Sequence, residues 1–195
     1  MTGDRLPGRP RSESTRRAIE AAALDELRER GYAGLTIEGI AARAGAGKQT
    51  IYRWWRSKAD VVLDAMAGFA DAIVPIPDKG SLPDDLLAFL VASFRQHGTR
   101  PALAGLMAQA VFDPEFAEAF RERFISVRRT ALRGILQRAA ARGEIAEDVD
   151  LELLVDVAFG VLWYRLLLDH APLDDATARD LAALMARAAA PERRD

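Results

Sequence analysis

The 195-residue chain contains no cysteine, no asparagine and only two histidines. The missing thiols exclude disulfides and thiolate metal sites, which suits a reducing cytoplasm. His97 and His170 do not make a metal site by themselves, because zinc takes several clustered Cys, His or carboxylate ligands. A surface or helix-end role is expected instead, and His170 lies near a helix C-terminus, where a cation is favoured. No metal or cofactor is therefore expected. The N-terminus lacks the apolar stretch of a secretory signal. The most apolar run, Val157 to Leu168, is interrupted by Arg165 and falls short of the roughly 20 residues a bilayer requires. No Gly-x-Ser-x-Gly, P-loop or dinucleotide fingerprint occurs, so catalytic residues are expected to be none. A cytoplasmic protein that is neither an enzyme nor membrane-bound is the expectation.

What is present is helical material. Half the residues are hydrophobic and 29% are charged, an ordinary soluble composition. Alanine, leucine and arginine dominate, and few segments alternate with period two, so the fold class expected is all-α. The net charge of −2 is unevenly spread: residues 1–60 carry 12 Lys+Arg against 8 Asp+Glu, while the remainder carries 15 against 21. A positive N-terminal third on an acidic body points one end of the molecule at phosphate.

The most specific stretch is Leu35 to Lys58. Thr36 is placed as an N-cap, Ile37, Ile40, Ala41 and Ala44 repeat at helical spacing, and Gly45 follows where a left-handed residue closes a helix. A second short helix, Gly47 to Trp54, follows. At about 100° per residue it places Ile51 and Trp55 on an inward seam, and Gln49 and Arg53 on the opposite side. Arg and Gln are the side chains that make paired hydrogen bonds to guanine and adenine edges in a major groove. Lys48, Gln49, Tyr52 and Arg53 are the candidates for base contact. Thr36, Thr50, Trp54 and Lys58 are the candidates for phosphate contact.

With Gly31-Tyr32, Leu35-Thr36, Ile40-Ala41, Ala44-Gly45, Thr50-Ile51-Tyr52 and Ser57-Lys58 in order, residues 14 to 66 resemble the TetR family of bacterial transcriptional regulators. Trp54-Trp55 departs from the family's usual His or Tyr followed by Phe. The resemblance implies a three-helix DNA-binding head with a helix-turn-helix, joined by helix 4 to a C-terminal helical ligand-binding and dimerisation domain, about nine helices in all. It also implies a ligand-responsive repressor acting on a palindromic operator. The alternative is a helical small-molecule-binding or scaffold protein with a vestigial DNA head.

In chain order, residues 1–13 are expected to form a flexible basic arm, whose Arg9 and Arg11 flank Pro10 as in an AT-hook and are candidates for minor-groove contact. Residues 14–74 form the head and helix 4. Helix 1 spans about Ser14 to Arg30 with Gly31 ending it, and Ser57 to Asp60 is a capping box opening helix 4. Pro75, Pro77, Gly80 and Pro83 mark a loop, and residues 75–195 form the second domain. There Asp113-Pro114-Glu115 starts a long helix that Gly143 stops near Arg142. Asp150–His170 and Asp174–Ala189 close the chain.

Two roles compete for the apolar residues of this domain. Val155, Phe159, Leu162, Leu166, Leu181, Leu184 and Met185 are expected at a homodimer interface, since one helix-turn-helix reads a half-site and a two-fold dimer reads a palindrome. Phe89, Phe94, Met107, Phe112, Phe120, Phe124 and Trp163 are candidates to line a pocket for a small-molecule effector, with Gln109, Arg128 or Tyr164 as polar anchors.

Overall fold

The computed structural model describes residues 9–73, 76–95 and 100–192, and these are helical or loop throughout, with no strand among them. The order is α1 (Arg9–Gly34), α2 (Ile37–Ala44), α3 (Lys48–Tyr52), α4 (Lys58–Ile73), α5 (Leu82–Phe94), α6 (Arg100–Phe112), α7 (Pro114–Phe120), a π turn (Arg121–Ile125), α8 (Ser126–Ala141), α9 (Leu151–Leu168) and α10 (Asp175–Ala189). None of the described helices is long and apolar enough to cross a membrane.

The helix ends follow from capping chemistry. Thr36 Oγ1 accepts from Gly39 N at 3.0 Å, and Gly45 closes α2 at φ 61°. Asp60 N donates to Ser57 Oγ at 3.2 Å while Ser57 Oγ donates to the Asp60 carboxylate at 3.0 Å. Asp113 takes the Phe116 N–H at 3.0 Å and the Gln109 amide at 3.1 Å. The first and then the second of these bonds hold its carboxyl below the usual range. The long helix begun there runs to Ala141, but through a π turn that the sequence does not announce.

At the other end of the chain, α1 begins at Arg9, with Pro10 in its first turn, where a missing N–H is harmless. The expected arm is thus shortened: Arg9 and Arg11 stand on helical backbone, and residues 1–8 lie outside the described residues, as do Pro75 and His97. Gly31, at φ 67° and ψ 172°, ends the first helical run as expected, and a short second piece continues across this kink to Gly34.

Packing makes one continuous core. In the head, Ile19, Leu27, Leu35, Ile40, Ile51 and Trp55 meet between α1, α2, α3 and α4. Tyr32, at the kink, packs on Phe116 at 4.9 Å and so docks the head on the body. Burial and the nearby Asp113 and Asp60 carboxylates push its phenol up to about 12. Lower down, α5 packs on α10 and α8 on α9. The buried carboxylate of Glu26 lies under the first turn of α2, paired with Arg43 (3.1 Å) and Arg30 (3.2 Å). A Cβ on Gly39 would sit 2.7 Å from Glu26 Oε2, which explains a glycine inside a short helix.

An exposed helix ordinarily gains about 1 kcal/mol when glycine becomes alanine. Here Gly39→Ala is expected to destabilise the protein in urea melts, and to become neutral or stabilising in a Glu26→Ala background. Equal effects in both backgrounds would show that the contact does not matter.

Candidate nucleic-acid interface and effector cavity

The short helix α3 is held by its inward residues. Ile51 is fully buried and Trp55 nearly so, as the seam predicts. The Trp55 indole Nε1 donates to Asp64 Oδ2 at 2.8 Å, and the Arg16 guanidinium lies 5.7 Å from its ring. Trp54 packs edge-on against Trp55 at 5.5 Å, half-buried, and carries the Arg53 guanidinium on its own face at 5.1 Å. The tryptophan pair therefore does two jobs: one anchors the helix to α4, and the other braces an arginine.

Outward, Lys48, Gln49, Tyr52 and Arg53 are exposed together, and Thr50 is half-buried beside them. Lys48 Nζ is held by Glu38 at 2.9 Å; this bond above all keeps the Glu38 carboxyl below its ordinary range, and the same bond followed by the Glu38 charge keeps the lysine above its own. Thr36 is exposed but its hydroxyl caps α2. Lys58 differs most from expectation. Its ammonium donates to the carbonyls of Tyr32 (3.0 Å) and Leu35 (3.1 Å) and lies 4.6 Å from the Tyr32 ring. Its charge is engaged by the end of α1 and the start of the turn.

The body encloses a cavity of about 560 Å³ between α5, α6, α7, the π turn, α8 and α9. Six of the ten expected pocket residues line it: Phe94, Met107, Phe120, Phe124, Arg128 and Trp163. The other four do not. Phe89 is buried beneath it, edge-on to Phe159 at 6.4 Å. Gln109 is occupied by Asp113, Tyr164 is exposed with its ring tilted against His170 at 4.5 Å, and Phe112 is 86% exposed. Sequence reasoning missed Ser93, Arg100, Arg121 and Arg129, which also reach the cavity wall. Arginine at helical spacing reads as a solvated face, so nothing in the sequence separates these three arginines from the rest.

The expected dimer face also needs correction. Val155, Leu166, Leu181 and Met185 are buried inside the protomer, while Phe159 and Leu162 line the cavity. Of the seven, Leu184 alone is exposed, at 53%. The reason is that α9 is apolar on every side, so its periodicity does not select a face. The exposed apolar residues are Leu153, Val157, Tyr164, Leu167 and Leu168 along one face of α9, and Leu184 on α10.

Glu38→Gln is expected to release Lys48 and tighten binding to duplex DNA a few-fold at low salt, with a steeper salt dependence. An unchanged affinity in a fluorescence-anisotropy titration would mean that Lys48 does not reach DNA.

Comparison with known proteins agrees with this geometry. Residues 19–65 match the model for bacterial regulatory proteins of the tetR family, and residues 76–185 match the tetracyclin repressor-like C-terminal domain. An uncharacterized HTH-type transcriptional regulator, YdeS of Bacillus subtilis, is 37% identical over 89% of each chain. The DNA-binding transcriptional repressor TetR of Mycobacteroides abscessus is 34% identical over 85% of this chain and 88% of its own. The crystal structure of the TetR family transcription regulator SCO0332 superposes with a TM-score of 0.77 at 31% identity, covering 91% of this chain and all of its own. The helix-turn-helix head, the cavity-bearing helical body and these relatives together establish that the chain belongs to the TetR family of DNA-binding transcriptional regulators.

Proposed function

We propose that this regulator is a homodimeric repressor that sets two α3 helices in successive major grooves of a palindromic operator and is released by a small molecule in the body cavity. The observation that carries the reading is the junction between cavity and head. Within the π turn, Arg121 and Phe124 face the cavity, while Arg123 between them pairs with Asp60 at 2.9 Å and Asp64 at 3.5 Å on α4. The same Asp64 holds the Trp55 indole, and Arg16 of α1 lies 3.7 Å from it. A ligand that displaces Phe124 thus pushes on the pairs that position the head. Half-exposed pairs of this kind are worth less than about 1 kcal/mol each. Such small energies suit a switch, whose total coupling is typically about 1–3 kcal/mol. Single π turns inside helices recur at functional sites.

On the DNA side, Gln49 and Arg53 are the base readers and Lys48 and Tyr52 their flanks. Thr36, Thr50 and Trp54 remain the phosphate-facing candidates, and Arg9 and Arg11 the candidates for minor-groove contact. Lys58 acts by fixing the head's fold. The dimer uses the exposed apolar residues of α9 and α10.

Binding should be steeply salt-dependent and tighter by orders of magnitude on one sequence selected from a random pool. Arg53→Ala is expected to relax preference at a single position of that sequence. Equal affinity for all duplexes would refute the repressor reading. With a compound that releases the wild-type protein, Arg123→Ala should bind it normally off DNA yet lose most of its effect on operator affinity; a full response would remove Arg123 from the coupling path.

Leu153→Glu, on a residue 61% exposed in the protomer, is expected to convert a dimer to a folded monomer in sedimentation, whereas a wild-type protein that sediments as a monomer would overturn the interface.

A further inference from the structure

The charged groups of the cavity wall are Arg100, Arg121, Arg128, Arg129 and a single carboxylate, Asp156. Asp156 is taken by Arg129, which also pairs with Glu152. Arg100 is spent on the Leu166 carbonyl at 2.6 Å and on Asp169 at 2.9 Å. Arg121 and Arg128 share one wall. Arg121 and Arg128 are seven residues apart, two turns along the helical path, with Phe124 between them. Arg128 donates to the buried Ser93 hydroxyl at 3.0 Å, with its guanidinium 5.7 Å from the Phe89 ring, which holds it in place. Arg121 stands exposed at the rim, with no carboxylate partner among the described residues. The rest of the lining is apolar, from Phe94, Leu103, Met107, Phe120, Phe159 and Trp163.

Resting on the effector reading above, we infer that the ligand is an organic acid: an elongated apolar body with one carboxylate-like head, seated beside Phe124 between Arg121 and Arg128. A guanidinium is always charged and matches a carboxylate with two parallel hydrogen bonds. In an apolar cavity such a pair is weakly screened. A cation would meet an excess of like charge, and a neutral ligand would leave the rim charge without an offset. The volume lies within the roughly 300–1,000 Å³ of small-molecule sites. The position has a further consequence. A head group at Arg121 pulls on the same π turn that presents Arg123 to α4, so the acid would be read where the coupling begins.

The test uses the full-length protein and three probes of equal chain length, decanoate, 1-decanol and decylamine, each below its micelle concentration, followed by calorimetry. Decanoate is expected to bind at least tenfold tighter than 1-decanol, with decylamine weakest. Arg121→Met and Arg128→Met should each bring decanoate to within about threefold of the alcohol, leaving the alcohol's own affinity unchanged. Arg121 is exposed, so its variant carries the test if the change at Arg128 impairs folding. Alcohol binding equal to decanoate, or decylamine binding tighter, would overturn the acid while leaving the effector cavity standing. If none of the three binds, the cavity reading itself falls and the ligand class with it.

Discussion

The carboxylate of Asp64 joins three elements where the head meets the body. It accepts from the indole that ends the recognition segment, lies near a guanidinium of α1, and faces the arginine presented by the π turn. An anion with several cationic and N–H neighbours has no single best position; it settles where their pulls balance. Altering any one of them shifts that balance for the others. Such a group need not supply much stability to matter, because its value lies in linking α1, the recognition segment and the π turn through one point on α4. Apolar packing sets how close α4 lies to the body, and directional bonds set its angle.

The head shows the same division of labour. Its core is built from ordinary aliphatic contacts around Ile19, Leu27, Ile40 and Ile51, while polar groups fix geometry at the edges. Glu26 is a buried anion placed where the first turn of α2 offers free N–H groups and positive potential, and two arginines complete its neutralisation. A lone buried charge would be costly, whereas a paired one at a helix start pins the angle between α1 and α2. On the outward face of α3, Lys48 is paired with Glu38 and Arg53 lies against Trp54, while Gln49 and Tyr52 are exposed beside them.

Much of this architecture is written in local chemistry. Thr36, Ser57, Asp113 and Asp150 announce their helices because a capping oxygen works through its immediate neighbours and through nothing distant. The inward seam of Ile51 and Trp55 follows from helix geometry for the same reason. What stayed hidden depends on choices between equivalent faces. Because α9 is apolar all round, Val155 and Leu166 could not be told from Val157 and Leu168 until the neighbours of the helix were in place. Lys58 reads as a surface cation, and only the kink at Gly31 brings carbonyls within its reach. Likewise, the π turn has no residue signature; it is a matter of where one extra residue is accommodated, and it decides that Arg123 and Phe124 face different neighbours.

The lysine at the start of α4 has a mechanical meaning. By gripping the carbonyls of Tyr32 and Leu35 it rivets the end of one helix and the entry to the next onto the first residue of a third. Under the proposed release mechanism, a tilt of α4 would carry the head along with it rather than slide beneath it, and a small movement at the body would reach the DNA-facing helix enlarged by the length of that arm. Such a lever would change the distance between two heads without unfolding either of them.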